Sequence, residues 1–300
     1  MIAGLPMYDR PELFEAHNKF WQLVHEQITG SPKILSRNIS PWDLWTSPKL
    51  FLAQTCSSPY RESLHKIAIY VGTADYALPN CPPGYYNSLI ISRPGYEISE
   101  IKNCTFGYNE KMSHSGWTAP MAHFKKLNIS PKFLKKTGSH RASVKSVASG
   151  KIDFAAVDAQ SWRFIKKYDK FSINIRVLDH TNPTPGLPFI TSQNGLKENL
   201  FIGIKKAIEV LSEKYRSILY LNDFVILEEE KYHKKPKRMK DQVGKDEYEP
   251  KQPQIQPRKI KPDPEALRIS RTDRVEPISQ VILNPNSFTS GDAGSAIITV

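Results

Sequence analysis

The chain has 300 residues, with 42 Lys or Arg against 30 Asp or Glu and a formal net charge of +12. That length admits one large domain or two lobes of ordinary size. No apolar run is long enough to span a bilayer as a helix, which excludes an integral helical membrane protein. Hydrophobic residues make up only 39%, as expected when an ordinary core is diluted by a segment that has none.

In chain order, "MIAGL" reads as a short strand. It lacks a basic leader region, a long apolar stretch and a small-residue cleavage site. No signal peptide is therefore expected in it, and the chain reads as cytoplasmic, or as already mature or trimmed. "RPELFEAHNKFWQLVHEQI" places Leu13, Phe14, His17, Phe20, Trp21, Val24 and Ile28 at helical spacing, with Pro11 near its start. "KLFLAQT" is a buried strand, "YRESLHKI" a short helix, and "KIAIYVGT" and "NSLIISR" further strands. "NCTFGYN" leads into a helix "SGWTAPMAHFKKL". After it come a helix "SHRASVKSVASG", a strand "IDFAAVD", a helix "AQSWRFIKKY", a strand "NIRVLDHT" and a long helix "ENLFIGIKKAIEVLSEKYR". Strands alternating with helices make an α/β chain with largely parallel sheets covered on both faces. In such sheets ligands sit beyond the C-terminal ends of strands. The polar clusters "PMYDR", "QTCSSPYR", "GTADY", "NEKMSHSGW", "DAQSW" and "TNPTPG" all fall there. From His233 onward the chain turns rich in Lys, Pro, Gln and Asp, and residues 233–300 read as a basic, Pro-rich disordered tail. Its cluster "KYHKKPKRMK" fits a solvated linker or a nucleic-acid or anionic-lipid contact; no nucleic acid is expected as a partner.

"NEKMSHSGW" is the informative stretch. A helix starting near Ser115 exposes unpaired N–H groups at its positive end, and the hydroxyls of Ser113 and Ser115 point to the same place. Gly116 leaves room for a ligand oxygen, so the stretch reads as an anion cradle. A plain serine cap gives the same string. Ser–His catalysis would need a base and an orienting group. His114 is the immediate neighbour of both serines, where side chains point apart, and no nucleophile-elbow motif is present. A second cluster holds Thr137, Ser139 and His140 before a helix and Asp158 at a strand end, where each could act on a ligand or serve only as a cap or packing residue. Three cysteines, Cys56, Cys81 and Cys104, make no disulfide framework. Cys56 and Cys81 follow strands expected to be near neighbours, so with Cα atoms within about 7 Å a disulfide could form in an oxidising periplasm, whereas both would stay thiols in the cytosol.

The pieces "GLPMYDRPE", "QTCSSPYR", "VGTADYALPNCPPGYYNSLIISR", "YNEKMSHSGWTAP", "TGSHRASVKSVASGKIDFAAVDAQSW" and "NPTPGLPFI" together resemble the phosphate/phosphite/phosphonate-binding proteins of ABC transporters. That is the PhnD-like branch of the type 2 periplasmic binding proteins. The resemblance covers residues 1–232. It implies a two-lobed clamshell with a cleft between the lobes, residues 1–90 and 185–232 forming one lobe and 91–184 the other. "SLIISR" and "RVLDHTNPTPG" would be the crossings. A small phosphate, phosphite or phosphonate would be held by Ser113, His114, Ser115 and Gly116. Tyr8, Thr55 and Tyr60 would face it from the first lobe, and Thr137, His140 and Asp158 from the second. Asp158 and Asp9 could hold an ammonium group. The resemblance implies a non-enzymatic solute-binding protein serving an ABC permease, with no cofactor or metal and a periplasmic location. The other reading is a cytosolic enzyme or ligand sensor on the same fold.

Overall fold

The computed structural model describes residues 1–233. Strand β1 (Ile2–Gly4) is followed by helices α1 (Phe14–Gln27) and α2 (Pro41–Trp45), strand β2 (Leu50–Gln54), α3 (Ser57–Glu62) and β3 (Ile69–Asp75). Next come β4 (Tyr85–Tyr86), β5 (Ser88–Ser92) and β6 (Thr105–Tyr108). A π-turn at His114–Thr118 runs into α4 (Ala119–Lys126). Then follow β7 (Phe133–Lys136), α5 (His140–Ala148), β8 (Phe154–Asp158), α6 (Ala159–Tyr168), β9 (Arg176–His180) and β10 (Thr184–Pro185). The described chain ends with β11 (Pro188–Thr191), α7 (Lys197–Val210), α8 (Glu213–Leu219), β12 (Asp223–Val225) and α9 (Glu230–His233). Apart from His233, the tail expected over 233–300 lies outside the described residues.

Local signals set the helices. Pro11 starts a single 3₁₀ turn ahead of α1, whose Ala16, His17, Phe20, Trp21 and Val24 form one buried face. Ser40, Ser139 and Asp158 cap α2, α5 and α6 by accepting the N–H groups of Asp43, Ala142 and Ser161. Among the described residues no helix is long and apolar enough to cross a membrane.

The strands form two five-stranded sheets, ordered β1-β2-β11-β3-β12 and β7-β6-β8-β5-β9, and a two-stranded ribbon β10-β4 between them. Every residue of β2 and β8 is buried, as their unbroken apolar runs require of strands covered on both faces. One apolar cluster packs α1, α7 and α8 on the first sheet, and a second lies on its other face around Leu44, Tyr60, Tyr70 and Tyr232. Two more clusters cover the faces of the second sheet.

The expectation of largely parallel sheets is corrected. β1–β2, β6–β7 and β6–β8 are parallel, whereas β11 runs antiparallel to both β2 and β3, and β5 antiparallel to both β8 and β9. The ribbon is the cause. β4 and β10 pair antiparallel, so each crossing strand enters its next sheet against the direction of that sheet's βα units. In chain order β4 lies between β3 of the first sheet and β5 of the second, and β10 between β9 of the second and β11 of the first. β5, through which residue 90 runs, is paired with β8 along its whole length from Ser88 to Ser92. At the root of the ribbon Gly186 donates its N–H to the Gly84 carbonyl at 2.9 Å, and a Cβ on Gly186 would stand 2.7 Å from that oxygen.

Candidate ligand-binding cleft

A cleft of about 360 Å³ lies where the strand-end loops of both sheets meet. Met7 and Tyr8 follow β1, and Cys56 and Pro59 follow β2. Asn109, Ser113 and Ser115 follow β6, His140 opens α5, and Asp158 ends β8.

The turn after β6 leaves several backbone amides uncommitted. Thr118 N–H bonds to the Ser113 carbonyl and Ala119 N–H to that of His114, a π pattern that leaves the amides of His114, Ser115 and Trp117 without an intrahelical acceptor. Ser113 Oγ accepts the Gly116 N–H at 3.0 Å. Ser115 Oγ lies 2.9 Å from His140 Nε2. Burial lowers His140 to about 4, so the imidazole is neutral at pH 7. Its Nδ1 is buried without a hydrogen-bond partner among the described residues; the Ala156 carbonyl approaches the ring but closes no bond. Beside the turn, the Oδ1 of Asn109 is also buried and unpartnered.

Across the cleft the Tyr8 hydroxyl donates to Asp158 Oδ2 at 3.0 Å. Asp158 Oδ1 accepts the Ser161 N–H at 2.6 Å, so the carboxyl caps α6 and lines the cleft at once. Burial raises Asp158 to about 6, against the opposing pull of the Ser161 amide and Tyr8. Tyr8 rises well above the usual phenol range, through burial first and the Asp158 charge second. Tyr76 packs edge-on to Tyr8 at 5.3 Å and accepts a hydrogen bond from Gln54.

Tyr8, Ser113, Ser115, His140 and Asp158 are thus brought together, and the other expected residues are placed elsewhere. Gly116 does not open space for a ligand: a Cβ there would stand 1.8 Å from Asn109 Oδ1, so the missing side chain makes room for that amide. His114 turns the other way, with Nε2 3.1 Å from Thr184 Oγ1, and borders a different cavity. Thr137 Oγ1 donates to the Tyr108 carbonyl and sits 2.6 Å from Ser143 Oγ, which ties it to the base of α5. Thr55 is fully buried, its N–H bonded to the Pro188 carbonyl of β11. Tyr60 is fully buried in the aromatic group with Tyr70 and Tyr232, and its hydroxyl donates to Glu229. Asp9 is occupied by His17 and Arg37, whose hydrogen bonds hold it below the usual carboxylate range despite burial. All three cysteines are free thiols. β11 stands between β2 and β3, so the strands ahead of Cys56 and Cys81 are not hydrogen-bonded neighbours.

The sequence reading missed the α2 wall, Trp42 and Trp45, along with Met7, Asn109, Met112 and Tyr86. "SPWDLW" did carry a signal: a serine cap, Pro at the first helical position and Asp at the third.

A family described as the periplasmic substrate-binding protein of a phosphonate ABC transporter matches residues 68–232. Among solved structures, the chain is similar to a binding-protein component of an ABC phosphonate transporter from Pseudomonas aeruginosa. Identity is 17%, the TM-score 0.61, and the alignment covers 77% of this chain and 82% of that one. It is also similar to PhnD1 from Prochlorococcus marinus in complex with methylphosphonate, at 17% identity and a TM-score of 0.58, covering 77% and 94%. A protein from Xanthomonas citri bound to chloride aligns at 12% identity and a TM-score of 0.58, covering 77% and 92%. These likenesses establish the fold, a type 2 periplasmic-binding-protein fold of the α/β class. No curated protein matches the chain in sequence.

Proposed function

This chain belongs to the family of periplasmic substrate-binding proteins of phosphonate ABC transporters, and on that premise we propose that it binds a small phosphonate, phosphite or phosphate in the 360 Å³ cleft and delivers it to an ABC permease without chemical change. The reading rests above all on the π-turn. Its Ser115 amide, with the hydroxyls of Ser113 and Ser115 and the ring of His140, forms one donor-rich end of the cleft. The anionic group sits there. Trp42 and Trp45 of α2 wall the cleft from the first lobe, and Tyr8 closes on Asp158 from opposite sides. The lobes divide at the ribbon, and the protein works in the periplasm, where its family does.

Catalysis is the weaker reading on this geometry. Ser115 and His140 stand at nucleophile–base distance. However, no described residue orients His140 through Nδ1, and a ring with a pKa near 4 is a poor base at neutral pH.

Calorimetric titration of the full chain with methylphosphonate, phosphite and phosphate tests the proposal. At least one should bind. Ser115→Ala should weaken it by about 1.5–3 kcal/mol, the worth of one charge-assisted hydrogen bond. Absence of binding by all three anions, or unchanged affinity in Ser115→Ala, would overturn it.

A further inference from the structure

A larger cavity, about 770 Å³, shares none of its lining residues with the cleft. The ribbon is the partition between them. Successive strand residues face opposite sides, and Tyr85 lines the large cavity where Tyr86 lines the cleft.

Arg61, on the last turn of α3, lines this cavity and is only 7% exposed. A guanidinium carries five N–H donors. Among the described residues Arg61 makes one hydrogen bond, from Nη2 to Ser58 Oγ at 2.8 Å, and no salt bridge. A buried charge without a counter-charge is costly, and proteins keep such groups paired. Here the missing partner has a place to sit. His114, 3% exposed, borders the same space with a buried Nδ1 that has no hydrogen-bond partner among the described residues. Lys125 and Lys126 stand exposed at its edge on α4, and Lys231 flanks it from α9. The acidic groups nearby are already engaged, Asp179 with His123 at 2.7 Å and Glu228 with Lys231 at 3.5 Å. The remaining wall is largely apolar, formed by Tyr85, Tyr232, Pro183, Pro185 and Ala122.

From this we infer a second ligand site that takes an organic phosphate monoester. Its dianionic head pairs bidentately with Arg61 within reach of Lys126 and Lys231, and its apolar body lies along Tyr85 and Tyr232. The cavity is roomy enough for a nucleotide-sized body. The site is independent of the cleft and does not rest on the cleft's proposed ligand.

The test is calorimetry on the full chain with phenyl phosphate as probe, alone and with saturating methylphosphonate. Phenyl phosphate should bind with or without methylphosphonate. Arg61→Met should weaken it at least tenfold while leaving methylphosphonate within twofold, and Ser115→Ala should do the reverse. Because it removes an unpaired buried charge, Arg61→Met should also melt no lower than wild type without ligand; a lower melting temperature would mark Arg61 as merely structural. Should Arg61→Met not fold, Lys125→Glu with Lys126→Glu, both on the surface, should weaken phenyl phosphate several-fold. No binding of phenyl phosphate, its full displacement by methylphosphonate, or unchanged affinity in the Arg61 or lysine variants would overturn the inference. If methylphosphonate fails to bind, the cleft reading falls, and the Arg61 comparison still decides this one.

Discussion

Asp158 and the two buried histidines pull stability in opposite directions as pH changes. The folded pKa of Asp158, about 6, lies above the unfolded value of about 3.9. Between these values the native state holds the extra proton, so this group's contribution is present below the window and is lost as pH rises through it. His114 at about 3 and His140 at about 4 lie below the unfolded value of about 6.5. Between those values the unfolded chain holds the extra protons, so stability is lost as pH falls. Near pH 5 two histidine protons oppose one aspartate proton, and these three groups together give a slope of about 1.4 kcal/mol per pH unit, with stability rising as pH rises. Asp158→Asn removes the opposing proton and should steepen the slope by about the same amount. Urea unfolding at pH 4.5, 5.5 and 6.5 measures it, and the difference between the two proteins isolates Asp158 from every other titrating group. Equal slopes would mean that Asp158 titrates alike in both states.

Helices α1 and α7 cross so closely that the element itself dictates one residue. A Cβ on Gly203 would lie 2.5 Å from Ile28 Cγ1 and 3.4 Å from Gln27 Cβ. In an open helix, Gly→Ala gains up to about 1 kcal/mol. Here overpacking reverses the sign, and Gly203→Ala should destabilise by about 1–2 kcal/mol net; a raised melting temperature would show the helices are free to part. Such element-level contacts also explain what the sequence disclosed. α1, β2 and β8 were legible because each carries a complete pattern within its own residues. β4, β10 and β11 were not, since strands of two to four residues exist only through partners far away in the chain. The cleft was legible where a side chain's direction follows from a helix start or strand end, as at Ser113, Ser115 and Asp158. Tyr60 sits in an equally suggestive loop, but its direction is set by packing on Tyr70 and Tyr232, which no local pattern encodes.

Over the whole described molecule, the two sheets are joined by more than the ribbon. α6 belongs to the second sheet, yet Gln160 donates to the Leu219 carbonyl at 3.0 Å, and Arg163 donates to the carbonyls of Tyr76 and Ala77 at 2.6 and 2.8 Å. Arg10 reaches Asp169 at 3.1 Å, alongside the Tyr8–Asp158 bond. If the proposed clamshell opens and closes, these contacts favour the closed form. Arg163→Ala removes two of them, at about 1 kcal/mol each, and should shift the closed–open balance roughly 10–30-fold toward open. Small-angle scattering should then report a larger particle without ligand, and methylphosphonate affinity should fall; a superposable scattering curve would show that closure does not depend on α6. The placement of β11 also dictates an order of assembly. The second sheet is drawn from one uninterrupted stretch, β5 to β9, whereas the middle of the first sheet stays vacant until β11 arrives far downstream of β2 and β3. During synthesis the inserted half can therefore mature while the half that precedes it is still waiting for its central strand. On refolding from denaturant, pulse-labelled amides of β5, β6 and β8 should gain protection before those of β2, β3 and β11, since the costlier loop closure comes last.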